Sequence, residues 1–518
     1  IDNYVLRHLF LSGDSLEILQ MVVVGRYMSV LADCITLLMV YFIGRKLSGD
    51  LVGFISAGLF AVSVQFIQQA HFGTFDSLLA TAVTTALWIL VLYVESGKLR
   101  HLNFAGGAIG LAVGIKANAV LLVLPAFTAI LCHELIREGA KLGSGRRLIQ
   151  VWIVPILWAL GVFVLGNPYA LLEWQEYLGN IAIQTYMVRG LVNWPFILQY
   201  RDTVPYIYHI IEQGRWTLGW PLTIFMYGGT LVHMTQVGSR LCLRKTDVGV
   251  VQQLVLLSWV VSYFVLIGGL HVKYPRYMLP IIPVQIVFAT SMLVWFAKKS
   301  VAYGVPVLLV VVGTTAVYAM GYVSMYEKPH PWIVASNWIY ENGEKGGTIL
   351  TEKWDHPLPL SQVRQGNILM FRDEYDSVAL GLADLPDTKS KLETIVQNVV
   401  EADYIVVASN RNYSPVLANP DMFPYSMKYY QSLFDGTLGY TLLLAETRYP
   451  NFAGRSLRGD PIKSAGVNLK DIQKYFYTTH RSVVADESFT VYDHPLVLVF
   501  HNQSKLEYHR MMEVIVGK

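Results

Sequence analysis

Long apolar runs fill residues 15–325, and they limit the possible folds more than any other feature of the sequence. A helix needs about 20 apolar residues to cross the roughly 30 Å hydrocarbon core of a bilayer. The runs predict about ten membrane-spanning helices, at residues 27–44, 51–70, 77–94, 102–115, 117–132, 148–166, 217–236, 250–270, 277–297 and 302–323. Charged residues make up 15% of the chain, whereas soluble domains carry about 25%. We therefore expect a polytopic α-helical membrane protein.

The predicted span 102–115 is short, because at a rise of 1.5 Å per residue it would cover only about 21 Å. Its glycines Gly106, Gly110 and Gly114 are spaced four residues apart and so share one face of a helix. Small residues at this spacing let two helix backbones approach closely. They indicate a packing face rather than a binding site.

Lysine and arginine are concentrated in alternate loops between the predicted spans. The positive-inside rule assigns such loops to the cytoplasm; they contain Arg45, Lys46, Lys98, Arg100, Arg137, Lys141, Arg146, Arg147, Arg240, Arg244, Lys245, Lys298 and Lys299. The other segments are then expected outside: residues 1–20, 71–76, the long loop 167–216, the turn 271–276 and the chain from residue 327 onward. This orientation predicts a multi-pass protein of the cytoplasmic (plasma) membrane whose C-terminal domain is extracytoplasmic.

Residues 327–518 read as a water-soluble α/β domain that follows the membrane domain 1–326, because helical and strand patterns alternate. We expect helices at Pro331–Glu341, Leu392–Val400 and Met427–Phe434, strands at Thr348–Glu352, Tyr404–Ala408 and Tyr440–Ala445, and a hairpin or pair of strands in Ser488–His501. A Gly-rich dinucleotide or phosphate loop is not present in the sequence, so no nucleotide site is predicted. The net charge of +3 gives no reason to expect a nucleic acid partner.

The stretch QQAHFGTFDSLLA places Asp76 at the mouth of a predicted span. An ionisable group there is a candidate functional residue. It could equally belong to a helix N-terminus, where Thr74 or Asp76 would cap the helix and an acid suits the positive end. His71, at the same mouth, is either an interfacial polar residue or part of a substrate-lining surface. Neither residue has metal-ligand spacing with another, so no cofactor is indicated, a divalent metal included.

A second cluster, HVKYPRYMLP, puts Lys273 and Arg276 in an outside turn, where the orientation rule expects few cations. Arginine binds phosphate bidentately and lysine binds it as a point charge, so the pair suggests a phosphate site. The alternative is that both side chains reach toward lipid headgroups. Lys116, in the outside turn GIKAN, has the same two interpretations.

The long outside loop contains two kinds of segment. Residues 173–188 have a helical apolar pattern that suits an amphipathic helix on the membrane surface. Further on, hydrogen-bonding groups of both signs lie between aromatics and are candidates for lining a substrate: Gln199, Tyr200, Arg201 and Asp202. The cations, the carboxylate and this loop on one face suit a lipid phosphate whose tail lies in the membrane.

Several segments together resemble GT-C class membrane glycosyltransferases, in the phospholipid-carrier-dependent family related to protein mannosyltransferases and aminoarabinose transferases. They are GRYMSVLADCITLLMVYFIGRKL, FIQQAHFGTFDSLLATAVTTALWILVLY, GLAVGIKANAVLLVLP, NPYALLEWQEYLGNIAIQTYMVRG, PFILQYRDTVPYIY and KYPRYMLPIIP, followed in the tail by PWIVASNWIYENG, TEKWDHPLP, ADYIVVASNRNY, YYQSLFDGTLGY and DESFTVYDHP. The resemblance covers most of the chain and implies a GT-C-like membrane domain with an extracytoplasmic domain.

The resemblance also implies an activity: transfer of a sugar from a polyprenyl-phosphate-linked donor to an acceptor lipid, glycan or protein at the outer face of the membrane. Asp76 matches the second acid of the family's site, and Lys273 and Arg276 match its cations near the donor phosphate. The principal acid is expected in a first outside loop upstream of Ile1, because Asp2, Asp14 and Glu17 do not form the family's acidic pair. Without that acid, the alternative is a non-catalytic scaffold subunit of a membrane complex. A transporter is a weaker alternative, since paired interrupted helices are not apparent in matching halves.

Overall fold

The computed structural model describes residues 15–138, 147, 149–364, 367–369, 374–457 and 485–517. Asp2, Asp14, Lys141 and Arg146 lie outside the described residues. The chain divides into two compact units, the first formed by Ile1–Ala182 with Pro205–Ala319 and the second by Ile183–Val204 with Met320–Lys518. Each unit is described in turn.

The first unit is helical. Its helices are α1 (Ser15–Ser48), α2 (Asp50–Ala61), α3 (Val64–Phe72), α4 (Phe75–Ser96), α5 (Leu99–Ile115), α6 (Val123–Glu138), α7 (Val154–Gly166), α8 (Tyr169–Leu172), α9 (Trp174–Val188), α10 (Ile207–Glu212), α11 (Trp220–Cys242), α12 (Val248–Gly268), α13 (Ile282–Lys299) and α14 (Val301–Val323). Helices α9 and α14 reach past the boundaries of this unit. Short 3₁₀ segments, Ala117–Leu122 and Pro275–Ile281, and π-helical segments, Ile149–Ile153 and Gln213–Thr217, join several of them.

Within the described residues, seven helices are long and apolar enough to cross a membrane, or eight if the bent pair α2 and α3 is one span. The two helices of that pair meet at 49°. The predicted number of about ten is therefore not reached. Helix α5 has 17 residues and covers only about 26 Å, and α11 carries polar side chains such as His233 and Gln236. The several apolar helices nevertheless make this a multi-pass membrane protein.

The glycine face of α5 packs directly on α7, as the spacing predicts. A Cβ atom on Gly106 would lie 2.3 Å from the carbonyl oxygen of Pro155, and one on Gly110 would lie 2.1 Å from that of Ala159. Side chains larger than hydrogen would therefore force the two helices apart. The predicted amphipathic segment 173–188 is also helical and forms α9.

The second unit is built on a five-stranded sheet. Its strand order is β4-β1-β5-β9-β6, with β1 parallel to β4 and β5 and with β9 antiparallel to β5 and β6. The strands of this sheet are β1 (Thr348–Glu352), β4 (Asp376–Leu380), β5 (Tyr404–Val407), β6 (Tyr440–Glu446) and β9 (Val497–Asn502), and two small ribbons consist of β2 (Gln362–Arg364) with β3 (Asn367–Leu369) and β7 (Asn451–Phe452) with β8 (Arg455–Ser456).

The helices of this unit are α15 (Pro195–Leu198), α16 (Pro331–Asn342), α17 (Lys389–Glu401), α18 (Tyr413–Ala418), α19 (Pro424–Asp435), α20 (Glu487–Thr490) and α21 (Tyr508–Val516). One core cluster brings Leu198 together with Leu350, Ile405, Leu433 and Phe500. The segment 183–204 of the long loop thus contributes to the core of the α/β unit.

The hairpin or pair of strands predicted in Ser488–His501 is wrong in its first half and confirmed as a strand in its second. Its first half is the short helix α20, because the Asp486 side chain accepts a hydrogen bond from the Ser488 N–H at 2.9 Å and starts a helical turn. Its second half is β9, which pairs with β5 and β6 rather than with a strand before it. The other three predicted strands and three predicted helices of the tail are confirmed, whereas β4 was not predicted.

Candidate functional site

Asp76 lies at the start of α4, after a tight turn. Helix α3 ends at Phe72, and Gly73 takes a left-handed conformation with φ of 69° that turns the chain. Thr74 occupies the N-cap position of α4 but donates its hydroxyl proton to Gln69 Oε1 at 2.8 Å instead of capping the helix through its side chain. Asp76 is the second helical residue and is only 2% exposed. The structure therefore gives the capping position to Thr74.

Two cations approach the Asp76 carboxylate. Lys116 Nζ lies 3.1 Å from Asp76 Oδ1, and Arg276 Nε lies 4.0 Å from Asp76 Oδ2. The carboxylate is 3% exposed, whereas the Lys116 and Arg276 side chains keep 23% and 29% of their surface. In these two ion pairs two cations face one carboxylate, and both cations remain partly accessible. The structure thus brings together three of the residues that the sequence singled out.

Aromatic rings hold both cations in place. Lys116 Nζ lies 4.6 Å from the ring centroid of Tyr277 and 5.6 Å from that of Phe75. The Arg276 guanidinium lies 4.8 Å from the ring centroid of Tyr274. Cation–π contacts of this kind stabilise a positive charge without neutralising it. The aromatic rings therefore hold the two cations in position beside Asp76.

The position of Arg276 depends on a short 3₁₀ helix, Pro275–Ile281. Proline fixes φ near the helical value and suits the first position of such a segment. The Pro275 carbonyl accepts a hydrogen bond from Gln65 Nε2 at 2.6 Å, which ties the segment to α3. Arg276 and the α3–α4 turn are thereby kept close together.

Lys273, three residues before Arg276, has different surroundings. It is 2% exposed and donates a hydrogen bond to the His271 carbonyl at 2.8 Å. Burial lowers the pKa of Lys273 to about 8. Burial also lowers the pKa of His209, to about 3, and the charge of Lys273 adds to this effect. The structure thus places Lys273 near His209 and Arg276 beside Asp76.

The other predicted lining residues are divided between the two units. His71 belongs to the last turn of α3, where its Nδ1 lies 2.7 Å from the Ile67 carbonyl oxygen. Gln199 Oε1 accepts a hydrogen bond from the Glu487 N–H at 3.3 Å, and Tyr200 donates one to Asp486 at 2.6 Å.

Arg201 bonds Asn419 at 3.2 Å and forms an ion pair with Asp421 at 2.8 Å. Asp202, the next residue, adopts a φ of 62°, in the left-handed region. The contacts of Gln199, Tyr200 and Arg201 are made within the second unit and attach the loop segment to it.

Asp33 is a lone acid in an apolar run, a pattern that indicates a candidate functional residue. The sequence analysis did not single it out. It belongs to α1, and Ser77 donates a hydrogen bond to it at 3.3 Å, directly after Asp76 in the chain. His209 was missed as well, because an isolated histidine outside the apolar runs gives no signal by itself. Among the described residues, no group of three or more His, Cys, Asp or Glu side chains could hold a metal ion.

The family comparison agrees with the resemblance in one part of the chain. Residues 20–158 match the family model described as dolichyl-phosphate-mannose-protein mannosyltransferase. No curated protein sequence matches the chain. Solved structures with similar folds include the apo oligosaccharyltransferase of Archaeoglobus fulgidus, at 14% identity with a TM-score of 0.47, covering 92% of this chain and 77% of that one.

Two further solved structures are similar to the chain. ArnT from Cupriavidus metallidurans, bound to undecaprenyl phosphate, shows 14% identity and a TM-score of 0.40 over 62% of this chain and 58% of that one. The arabinofuranosyltransferase AftD from Mycobacteria shows 13% identity and a TM-score of 0.39 over 95% of this chain and 36% of that one.

The matched segment 20–158 contains most of α1 and all of α2 to α6, and it supplies both Asp76 and Lys116 to the site. A family of mannosyltransferases supports glycosyl transfer as the general activity. The family match therefore supports the resemblance within residues 20–158, the part of the chain that the family model covers.

Proposed function

We propose that the protein transfers a sugar from a polyprenyl-phosphate-linked donor to an acceptor lipid, glycan or protein at the outer face of the cytoplasmic membrane. The observation that carries this proposal is the pair of cations, Lys116 and Arg276, on the buried carboxylate of Asp76. The name of the matched family supports the donor class, because dolichyl phosphate is a polyprenyl phosphate.

An anionic phosphate group fits the charge of this site. The donor phosphate would lie against the accessible faces of Lys116 and Arg276, and its polyprenyl tail would lie among the membrane lipids. Arginine offers a planar fork of donors to a phosphate, and lysine adds a point charge. Asp76 is already in contact with both cations, so it keeps them at a fixed separation before the donor arrives.

In the proposed reaction a nucleophilic atom of the acceptor attacks the anomeric carbon of the donor sugar. The bond between that carbon and the phosphate oxygen breaks, and the polyprenyl phosphate leaves with the electron pair. Lys116 and Arg276 stabilise the negative charge that develops on the leaving phosphate, which is often the largest contribution to catalysis. The proton of the acceptor passes to a general base.

Asp76 fits the supporting role better than the role of base. A general base must be within hydrogen-bond reach of the proton that it takes. The Asp76 carboxylate is 3% exposed, and each of its oxygens faces one cation. We therefore assign Asp76 to the positioning of Lys116 and Arg276, in agreement with the second acid that the resemblance implies.

The test uses the full chain in lipid nanodiscs and measures binding of a bare polyprenyl phosphate and transfer from polyprenyl phosphate-linked mannose. We expect Arg276→Ala and Asp76→Asn each to weaken binding or transfer by about tenfold or more, the effect of removing one charge-assisted contact. Arg240→Ala is the matched control, because Arg240 pairs with Asp247 at 3.0 Å and both side chains are exposed.

Folding is checked for each variant by thermal unfolding. Wild-type-like binding and transfer by both Arg276→Ala and Asp76→Asn would reject the proposed donor site. Binding of bare polyprenyl phosphate that depends on Arg276, together with the lack of transfer to any acceptor tested, would favour a non-catalytic membrane subunit instead.

A further inference from the structure

Three buried polar side chains follow one another at four-residue spacing: His209 in α10, and Gln213 and Thr217 in the π-helical segment after it. They are 1%, 0% and 0% exposed. Within the described part of the chain, neither ring nitrogen of His209, nor Gln213 Nε2, nor Thr217 Oγ1 has a hydrogen-bond partner. Buried polar groups normally have one, so a run of three calls for a cause.

The chemistry of these groups indicates what they could bind. The pKa of His209 is lowered to about 3 by burial and by Lys273, so the imidazole is neutral at physiological pH and offers one donor and one acceptor. Gln213 Oε1 accepts a hydrogen bond from Tyr227 at 2.9 Å, which orients Nε2 as a donor. Thr217 adds a hydroxyl that both donates and accepts. Neutral donors and acceptors match the hydroxyl groups of a sugar better than a second anion.

The helix that carries His209 packs near the Arg276 side of the cation pair. Helix α10 packs on the 3₁₀ helix Pro275–Ile281, which carries Arg276. Lys273, whose charge acts on His209, precedes Arg276 by three residues. The Cα atoms of Lys273 and Arg276 are therefore at most about 11 Å apart. One ligand could bind at Arg276 with its phosphate and extend toward His209.

We propose that His209, Gln213 and Thr217 form the sugar-binding part of the donor site, where they hydrogen bond the hydroxyl groups of the sugar whose phosphate lies against Lys116 and Arg276. This inference rests on the proposed function and adds the part of the site that would distinguish one donor sugar from another.

Admission of a sugar requires the π-helical segment to move, because the polar atoms have no solvent access. Two features suit such a movement. π-Helical turns are rare and frequently occur at functional sites. The segment is followed by Gly219, whose φ of 85° is easily adopted only by glycine. The His209 ring nitrogens, Gln213 Nε2 and Thr217 Oγ1 have no hydrogen bond to lose on opening, and the sugar would supply their partners.

The experiment compares His209→Phe and Gln213→Met with the wild-type full chain in nanodiscs. The probes are bare polyprenyl phosphate, polyprenyl pyrophosphate, and polyprenyl phosphates carrying mannose, glucose or arabinose. We expect the wild type to bind at least one sugar-bearing lipid about tenfold more tightly than the bare phosphate, as a site built to bond hydroxyls would. Both variants should lose this preference and keep wild-type binding of the bare phosphate.

Thermal unfolding separates this role from a structural one. Apolar replacements of unpartnered polar groups should leave the unfolding temperature unchanged or raise it. His233→Phe is the matched control: His233 is also buried, but its Nδ1 lies 2.9 Å from Gln253 Oε1. That variant should lower the unfolding temperature and keep the sugar preference.

Three results would overturn the inference: a wild type that prefers no sugar-bearing lipid, variants that keep the preference, or variants that lose bare phosphate, pyrophosphate and sugar-bearing lipids by the same factor. The proposed function is tested separately, since it requires only that Arg276→Ala weakens binding of the bare phosphate.

Discussion

Asp76 and Lys116 form an ion pair in which Nζ lies 3.1 Å from Oδ1 and only the lysine keeps contact with solvent. The two residues are 40 positions apart: Asp76 is in the first turn of α4, and Lys116 lies between α5 and the 3₁₀ helix Ala117–Leu122. Burial makes the carboxylate depend on its partner, because a buried charge without a counter-charge is strongly destabilising. The pair therefore contributes to the stability of the fold as well as to the site.

Replacement of Lys116 by methionine should destabilise the first unit by about 3 kcal/mol, the lower end of the cost of breaking a buried pair, since Arg276 remains near Asp76. The double variant Lys116→Met with Asp76→Asn should recover most of this loss, because no buried charge remains. Thermal unfolding in nanodiscs measures both. Strictly additive losses in the two single variants would contradict a shared interaction.

The α5–α7 contact predicts a sharp difference between two neighbouring glycines. Gly110→Ala should destabilise the protein by about 1–3 kcal/mol, because the new Cβ would lie 2.1 Å from the Ala159 carbonyl oxygen. Gly107→Ala is the matched control: its Cβ would meet Val162 Cγ2 at 3.6 Å, an ordinary contact. We expect the control to be neutral or slightly stabilising, and equal effects of the two substitutions would argue against close packing there.

Because Glu352 is buried, we expect the free energy of unfolding of the α/β unit to depend on pH. Burial raises the pKa of this carboxyl from 4.5 to about 8. In the unfolded chain Glu352 loses its proton near pH 4.5, whereas the folded unit keeps it bound until about pH 8. The free energy of unfolding should therefore fall as pH rises through this window, by up to about 1.4 kcal/mol per pH unit.

Glu352→Gln removes the titrating group and keeps an oxygen that can accept the hydrogen bond from Tyr430. Its unfolding temperature should depend less on pH between 5 and 8 than that of the wild type. The exposed Glu393→Gln on α17 serves as the control and should leave the wild-type dependence intact. A pH profile unchanged by Glu352→Gln would show that the carboxyl is ionised in the folded unit.

The loop residues Tyr200 and Arg201 should differ in their effect on stability. Tyr200→Phe leaves a buried oxygen of Asp486 without its 2.6 Å hydrogen bond and should cost about 1–3 kcal/mol. Arg201→Ala breaks an exposed ion pair with Asp421 and should cost less than about 1 kcal/mol.

We expect both loop variants to bind polyprenyl phosphate like the wild type, because these residues contact the α/β unit. Weaker binding by Tyr200→Phe at an unchanged unfolding temperature would instead support a role in lining the substrate. Differential scanning fluorimetry and the binding assay on the same samples distinguish the two outcomes.

Much of the fold follows from local patterns in the sequence. Apolar run length located the long helices, and four-residue glycine spacing predicted the packing face of α5, because both depend only on neighbouring residues. The tail strands Thr348–Glu352 and Tyr404–Val407 were found in the same way. The first half of Ser488–His501 is not a strand because the side chain of Asp486 caps a helix there. Strand propensity does not take such a cap into account.

The contacts within the site could not be predicted from local sequence patterns. Residue type and expected orientation singled out Asp76, Lys116 and Arg276, but their mutual contact joins distant parts of the chain and follows from tertiary packing. Tyr200 shows the converse: its polar-aromatic neighbourhood suggested a substrate surface, yet its hydroxyl bonds Asp486. Polar residues in a loop look alike in the sequence whether they bind a ligand or another part of the protein.

The α/β unit takes residues 183–204 from the middle of the membrane sequence, and this has a practical consequence for protein engineering. A soluble fragment that begins after the last apolar helix would leave the place of Leu198 in the core empty and deprive Asp486 of Tyr200. Such a fragment should aggregate or unfold readily unless the missing segment is fused to it. For the same reason, neither recombination nor domain grafting can exchange the C-terminal region between related proteins without also exchanging the loop segment that fits it.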